Sequence, residues 1–156
     1  MTVTLWLLLA ALLANGMLAG ASLDQSIKQL PARRRIGVVA YSEYSKAGDL
    51  GPGVAWLAAL GIGAAVLAVV AALVGLLARP EPPAAAALVV ILVLTLAHSF
   101  TSTRAAPTNF SQRAAAGDAA RLEVIFDRFE RWQTIRAALQ LLTLLGVTWA
   151  LAAQIG

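Results

Sequence analysis

Four apolar runs constrain this chain more than any other feature: Val3–Ala21, Val54–Ala78, Ala84–Ala97 with its continuation to Thr103, and Ala137–Ala153. Each approaches the ~20 residues a helix needs to cross the hydrocarbon of a bilayer. Lipid offers no partner to an unpaired backbone N–H or C=O, so a spanning segment must be a helix or part of a closed barrel. Alanine and leucine dominate these runs without period-two alternation, which argues against a barrel. Hydrophobic residues make up 60% of the chain and charged residues 13%, against about 25% charge in an ordinary soluble domain. The expected fold is therefore all-α: a polytopic membrane four-helix bundle in one domain covering residues 1–156, with helical cytoplasmic extensions. The spans fall at about 3–23, 53–78, 84–104 and 134–154, and the cytoplasmic connections at about 24–52 and 105–133. The first run carries Ala19-Gly20-Ala21, which resembles a signal-peptidase site. It has no positive segment ahead of it, so it reads as a retained helix.

Charge sets the expected orientation. Of twelve lysines and arginines, all but Arg79 lie on the side of the two long connections. The positive-inside rule then puts both connections in the cytoplasm and both termini outside, in a multi-pass protein of the cell membrane. The net charge of +4 follows from this topology, so nucleic acid is not an expected partner; membrane lipids are. Arg33, Arg34 and Arg35 read as topology signals. With no cysteine and one histidine, thiolate chemistry, disulfides, histidine-rich metal sites and bis-histidine haem are excluded. No metal or other cofactor is expected.

Local signals refine the connections. Pro31 can open a helix through Tyr41 and Tyr44 toward Gly48. Arg79–Pro83 is a tight turn whose prolines end one helix and start the next. Gly117-Asp118 reads as a break followed by an N-cap. Beyond it, Leu122, Ile125, Phe126, Phe129, Trp132 and Arg136 recur at helical spacing. The last helix should therefore project past the membrane surface.

Polar residues within spans are costly and tend to face the bundle interior. Thr95, His98, Ser99 and Ser102 share one face of the third helix, with His98 roughly 21 Å along it from Ala84. Gln133, Arg136, Gln140 and Thr143 share a face of the fourth. On the first, Gly16, Gly20 and Asp24 align; the glycines allow close helix approach and Asp24 can pair with Lys28. The second span reads as packing, with Gly61 and Gly63 as contacts. The expected site is a polar pocket in the inner half of the bundle, centred on His98 and Arg136, with Asp24, Gln25 and Ser102 at similar depth and Gln140 on the Arg136 face. The plain alternatives are a histidine that hydrogen-bonds a neighbouring helix and an arginine that anchors at the interface, as Trp56 and Trp132 would.

The stretches GASLDQSIKQLPARRRIG, HSFTSTRAAPTN and FDRFERWQTIRAALQLLT resemble the anthrone oxygenase-like family of small membrane proteins, and the resemblance spans nearly the whole chain. It implies four short spans and cofactor-independent oxidation of a hydrophobic aromatic molecule by molecular oxygen. It points to Arg104, Asn109, Trp132 and Arg136 as site residues. Where a second asparagine commonly follows in that family, this chain offers Gln112. In such chemistry His98 would remove the acidic C–H proton, and Arg104 or Arg136 would stabilise the oxyanion. The competing readings are a non-catalytic accessory, lipid-binding or assembly protein, and a transporter. The last would need several copies of the chain in a homo-oligomer.

Overall fold

In the computed structural model, which describes residues 2–155, every long element is helical: α1 (Val3–Asp24), α2 (Leu30–Ile36), α3 (Val38–Ala47), α4 (Gly53–Leu77), α5 (Pro82–Phe110) and α6 (Ala119–Ile155). A π-helical turn at Gln25–Gln29 joins α1 to α2, and a 3₁₀ turn at Ser111–Ala115 follows α5. No strand occurs among the described residues. Four continuous helices, Val3–Ile36, Gly53–Leu77, Pro82–Ala115 and Ala119–Ile155, are long and apolar enough to cross a membrane. Large apolar side chains such as Leu13, Ile62, Val93, Leu96, Leu145 and Trp149 face outward, an arrangement tolerable only where lipid surrounds them. The chain is a multi-pass integral membrane protein built as a four-helix bundle. In it, α1 and α5 each pack against both α4 and α6.

Helical structure runs past the expected spans in two instructive places. α1 itself ends at Asp24, and the chain stays helical beyond it. Pro31 has no N–H to donate and its ring crowds the carbonyl one turn back. The preceding turn widens to π geometry, with the Leu30 N–H reaching the Gln25 carbonyl, and the helix runs on. The break comes instead at Gly37, whose φ of +87° suits glycine and separates α2 from α3. Likewise α5 continues past residue 104 to Phe110 with Pro107 inside it. The Gly117-Asp118 reading holds: Gly117 has φ +80° and the Asp118 carboxylate accepts from the Arg121 N–H at 3.0 Å. Spanning 37 residues, α6 is about 55 Å long and extends beyond the hydrocarbon.

Two apolar clusters divide the bundle. Toward the α4–α5 turn, Leu8, Ala68, Ala71, Leu88, Ile91 and Val147 form a dry core. Close approach there depends on Gly75 and Gly146. A Cβ on Gly75 would lie 2.7 Å from Leu88 Cδ1 and 3.1 Å from Thr4 Cγ2; one on Gly146 would lie 3.4 Å from Ile91. Of the glycines expected to make contacts, Gly20, Gly61 and Gly63 have nothing within 4 Å of such a Cβ, whereas one on Gly16 would meet Leu144 of α6 at 3.9 Å, an ordinary contact. At the opposite end, Leu30, Tyr41, Ala105, Leu122, Phe126 and Phe129 form a second cluster, with Tyr41 edge-on to Phe126 at 5.0 Å between centroids. Burial pushes the Tyr41 hydroxyl far above its ordinary pKa. Arg33, only 3% exposed, ties α2 to α6 through Asp127 (2.6 Å) and Glu130 (2.7 Å). It is thus a structural tie between elements, beyond any part in topology.

Candidate functional site

Between the two clusters the helices diverge. On α4 every buried residue lies at or beyond Ala64; the turns from Gly53 to Gly63 bury none. The space left is a cavity of about 450 Å³, within the range of small-molecule sites. Its walls are mostly apolar, with Leu57, Gly61, Ile62, Ala65 and Val66 from α4, and its polar groups come from α1 and the π turn after it, from α5 and α6, and from Asp49 before α4.

His98 reaches it from α5. The ring is 2% exposed, and neither Nδ1 nor Nε2 has a hydrogen-bond partner. Its helix face places Ser99 and Ser102 beside it at offsets of one and four. Thr101 and Ser102 spend their hydroxyls on the His98 carbonyl, at 2.7 and 3.0 Å, which leaves the imidazole to the cavity. From α6, Arg136 and Gln140 point in, and Gln140 Oε1 is buried without a partner. One guanidinium nitrogen of Arg136 donates to Gln25 Oε1 at 3.4 Å, while its Nε is unpartnered. Gln25 opens the π turn and continues the inward face of α1, three residues beyond Ser22 and seven beyond Leu18. A turn further out on α6, Gln133 donates to the Ser22 carbonyl at 3.2 Å and clamps α6 to α1.

The segment between α3 and α4 lines the cavity at the end facing the second cluster. Asp49 Oδ2 accepts from Gln25 Nε2 and Ser45 Oγ, both at 3.3 Å. Arg113 holds the Leu50 carbonyl at 2.6 Å. Behind Asp49, fully buried Gln112 donates to Ser45 Oγ (3.2 Å) and to Asn109 Oδ1 (2.7 Å), and accepts from Ser42 (3.0 Å). Burial raises the Asp49 pKa, opposed by the hydrogen bonds from Ser45 and Gln25. A carboxyl raised in the folded state contributes stability below the unfolded carboxylate's range and loses it as pH climbs through the folded value. Asp49→Asn should therefore raise the unfolding temperature at pH 7 and flatten its fall between mildly acidic and neutral pH. Thermal melts in detergent across that range check this, and a lower melting point at pH 7 would contradict it.

Of the residues the sequence singled out, His98, Arg136, Gln25, Ser102, Asn109 and Gln140 line the cavity. Three do not. Arg104 is exposed on the outer side of α5, stacked over Phe100 at 5.3 Å, because six residues from His98 is two-thirds of a turn out of phase. Trp132 lies a turn beyond Arg136, packed against the second apolar cluster and bordering a surface hollow with Arg128 and Arg131. Asp24, one residue before Gln25, sits about 100° round the helix. It pairs with Lys28 as expected and accepts from Gln29 at 2.6 Å. Sequence reasoning missed Ser22, Asp49, Leu50, Phe110 and Phe129, which also line the cavity. Asp49 carried a signal: a lone carboxylate among Gly48, Gly51, Pro52 and Gly53 at the mouth of an apolar span. Among the described residues no cluster of three His, Asp or Glu could hold a metal ion. No protein-family model, curated protein or solved structure matches this chain.

Proposed function

We propose that this protein binds a flat, hydrophobic aromatic molecule in the cavity and oxidises it with molecular oxygen, without a cofactor, as the resemblance to anthrone oxygenases implies. The observation that carries this reading is a buried imidazole with both nitrogens free, in an apolar-walled cavity that also holds Arg136. For an anthrone the chemistry balances. His98 takes a proton from the methylene carbon, and the electron pair delocalises through the rings onto the carbonyl oxygen, where Arg136 stabilises it. Oxygen accepts electrons from that anion and, with a proton, forms a carbon-bound hydroperoxide. Loss of the remaining C–H proton and departure of hydroxide give the second carbonyl. One anthrone and one O₂ yield one anthraquinone and one water.

A second reading, a non-catalytic binding or accessory protein, is favoured by one observation. Asn109 Oδ1 is engaged by Gln112, so the family's loop asparagine serves here as a strut. The topology belongs to either reading. The positive-inside rule gives a cell-membrane protein with the Arg33–Asp127 end in the cytoplasm and both termini outside, and further copies of the chain are a compatible partner.

The test is oxygen uptake by the purified protein in nanodiscs supplied with anthrone. Uptake above that of empty nanodiscs, with one anthraquinone formed per O₂, is the expected result. Equal rates with and without protein would contradict catalysis and leave the binding reading.

A further inference from the structure

The cavity is unevenly walled. On the α1 and α6 side its lining is buried: Leu18 is 5% exposed, Ser22 4% and Gln140 3%. On the α4 and α5 side it is open: Ile62 is 66% exposed and Val66 54%, and Ser99 and Ser102 of α5 are partly exposed. Ile62 stands nine residues into α4, about 14 Å from its start, so this opening lies where acyl chains surround the bundle. The end facing water is lined by the segment carrying Asp49 and Leu50, held by Gln25, Ser45 and Arg113. Inside, Arg136 has no carboxylate partner among the described ion pairs. Asp49, the one acid lining the cavity, bonds to Gln25 instead of the guanidinium. A cation in an apolar enclosure needs a counter-ion, and His98 beside it has ring nitrogens to offer.

We propose that the cavity is loaded sideways from the bilayer, between α4 and α5, by a lipid-soluble aromatic oxygen acid whose oxyanion docks between Arg136 and His98. This rests on the reading of the cavity as an aromatic-binding site and specifies both the ligand's head group and its route. A water-soluble metabolite would have to enter past the Asp49–Leu50 segment, where Leu50 is buried. A neutral aromatic of the same shape leaves the guanidinium without its counter-ion.

Two fluorescent probes with one ring system separate these points: anthracene-9-carboxylate and 9-anthracenemethanol, followed by anisotropy at pH 7 in nanodiscs with protein-free nanodiscs as baseline. The acid should bind the wild-type protein at least about tenfold tighter than the alcohol, about 1.4 kcal/mol. Arg136→Gln should erase that preference. Ile62→Trp combined with Val66→Trp should slow loading about tenfold or more. Equal binding of acid and alcohol by the wild-type protein, which needs no variant to fold, would overturn the head-group claim. Loading of the double-tryptophan variant at the wild-type rate would overturn the route. Anthrone oxidation without any preference for the acid sinks this inference alone, whereas preference for the acid without oxidation sinks only the oxidation.

Discussion

His98→Ala is expected to lower the rate of anthraquinone formation by about 10²–10⁴-fold, the usual contribution of a positioned general base. The fall should appear in kcat with KM little changed, because the imidazole acts on the proton in flight and contributes little to holding the ring system. Loss of fold is a weak alternative explanation here. Neither ring nitrogen has a partner in the protein, so the substitution breaks no hydrogen bond. What it does is enlarge a cavity that already exists. The unfolding temperature in detergent should move by no more than a few degrees. Undiminished oxidation in a folded His98→Ala protein would remove the residue from the mechanism.

The largest effect on stability is expected on the opposite side of the second cluster. Arg33 is almost wholly buried, and two of its guanidinium nitrogens, Nε and Nη1, already lack partners. Its charge is balanced by Asp127 and Glu130, which are 60% and 26% exposed at their side chains. Removing both acids leaves a buried cation unmatched, a loss of about 3–5 kcal/mol. Arg33→Met removes the charge that needs balancing and keeps the apolar stem, so it should cost much less; the acids it leaves behind can still reach water. Arg34 also meets Glu130, at 3.4 Å, but it is exposed and contributes at most about 1 kcal/mol. Reversible unfolding in mixed micelles, followed by helical circular dichroism, ranks the three proteins. The Asp127→Ala/Glu130→Ala protein should be the least stable and lose the α2–α6 tie first to limited proteolysis. If it proves as stable as Arg33→Met, the buried pair is not what holds α2 in place.

That tie illustrates what a single sequence conveys and what it withholds. The spans were legible because lipid permits few backbone solutions and an apolar run of about 20 residues is hard to read otherwise. The polar faces of α5 and α6 were legible because 3.6-residue periodicity carries straight through a span. So His98, Ser102, Arg136 and Gln140 were found. Gln25 is legible by depth, and it lies on the same inward face of α1 as Leu18 and Ser22. Residues off the regular helices were hidden. Asp49 owes its position to a short segment whose path depends on hydrogen bonds to Gln25, Ser45 and, through Arg113, to the far end of α5. No periodicity announces such contacts. Arg104 and Trp132 entered through the resemblance and not through phase; one lies on the outer side of α5 and the other a turn below the cavity. The run Arg33–Arg35 reads as one charge signal, yet the three arginines face different directions on a helix, and only Arg33 is buried against α6. Glycine, too, is ambiguous without neighbours: Gly75 and Gly146 let helices meet, whereas Gly61 borders open space.

Underlying all of this is an enclosure within a lipid-solvated bundle, where ionisable side chains meet beside a tightly packed apolar half. The absence of cysteine from the chain makes it directly measurable. Ser102→Cys puts a thiol in the cavity, and Ala71→Cys puts one in the dry core. In nanodiscs treated with N-ethylmaleimide, the thiol at 102 should be modified and should be protected by added anthraquinone, while the thiol at 71 stays unmodified until the protein is unfolded. A thiol at 102 as inert as the one at 71 would mean that the helices close there and that no such chamber exists.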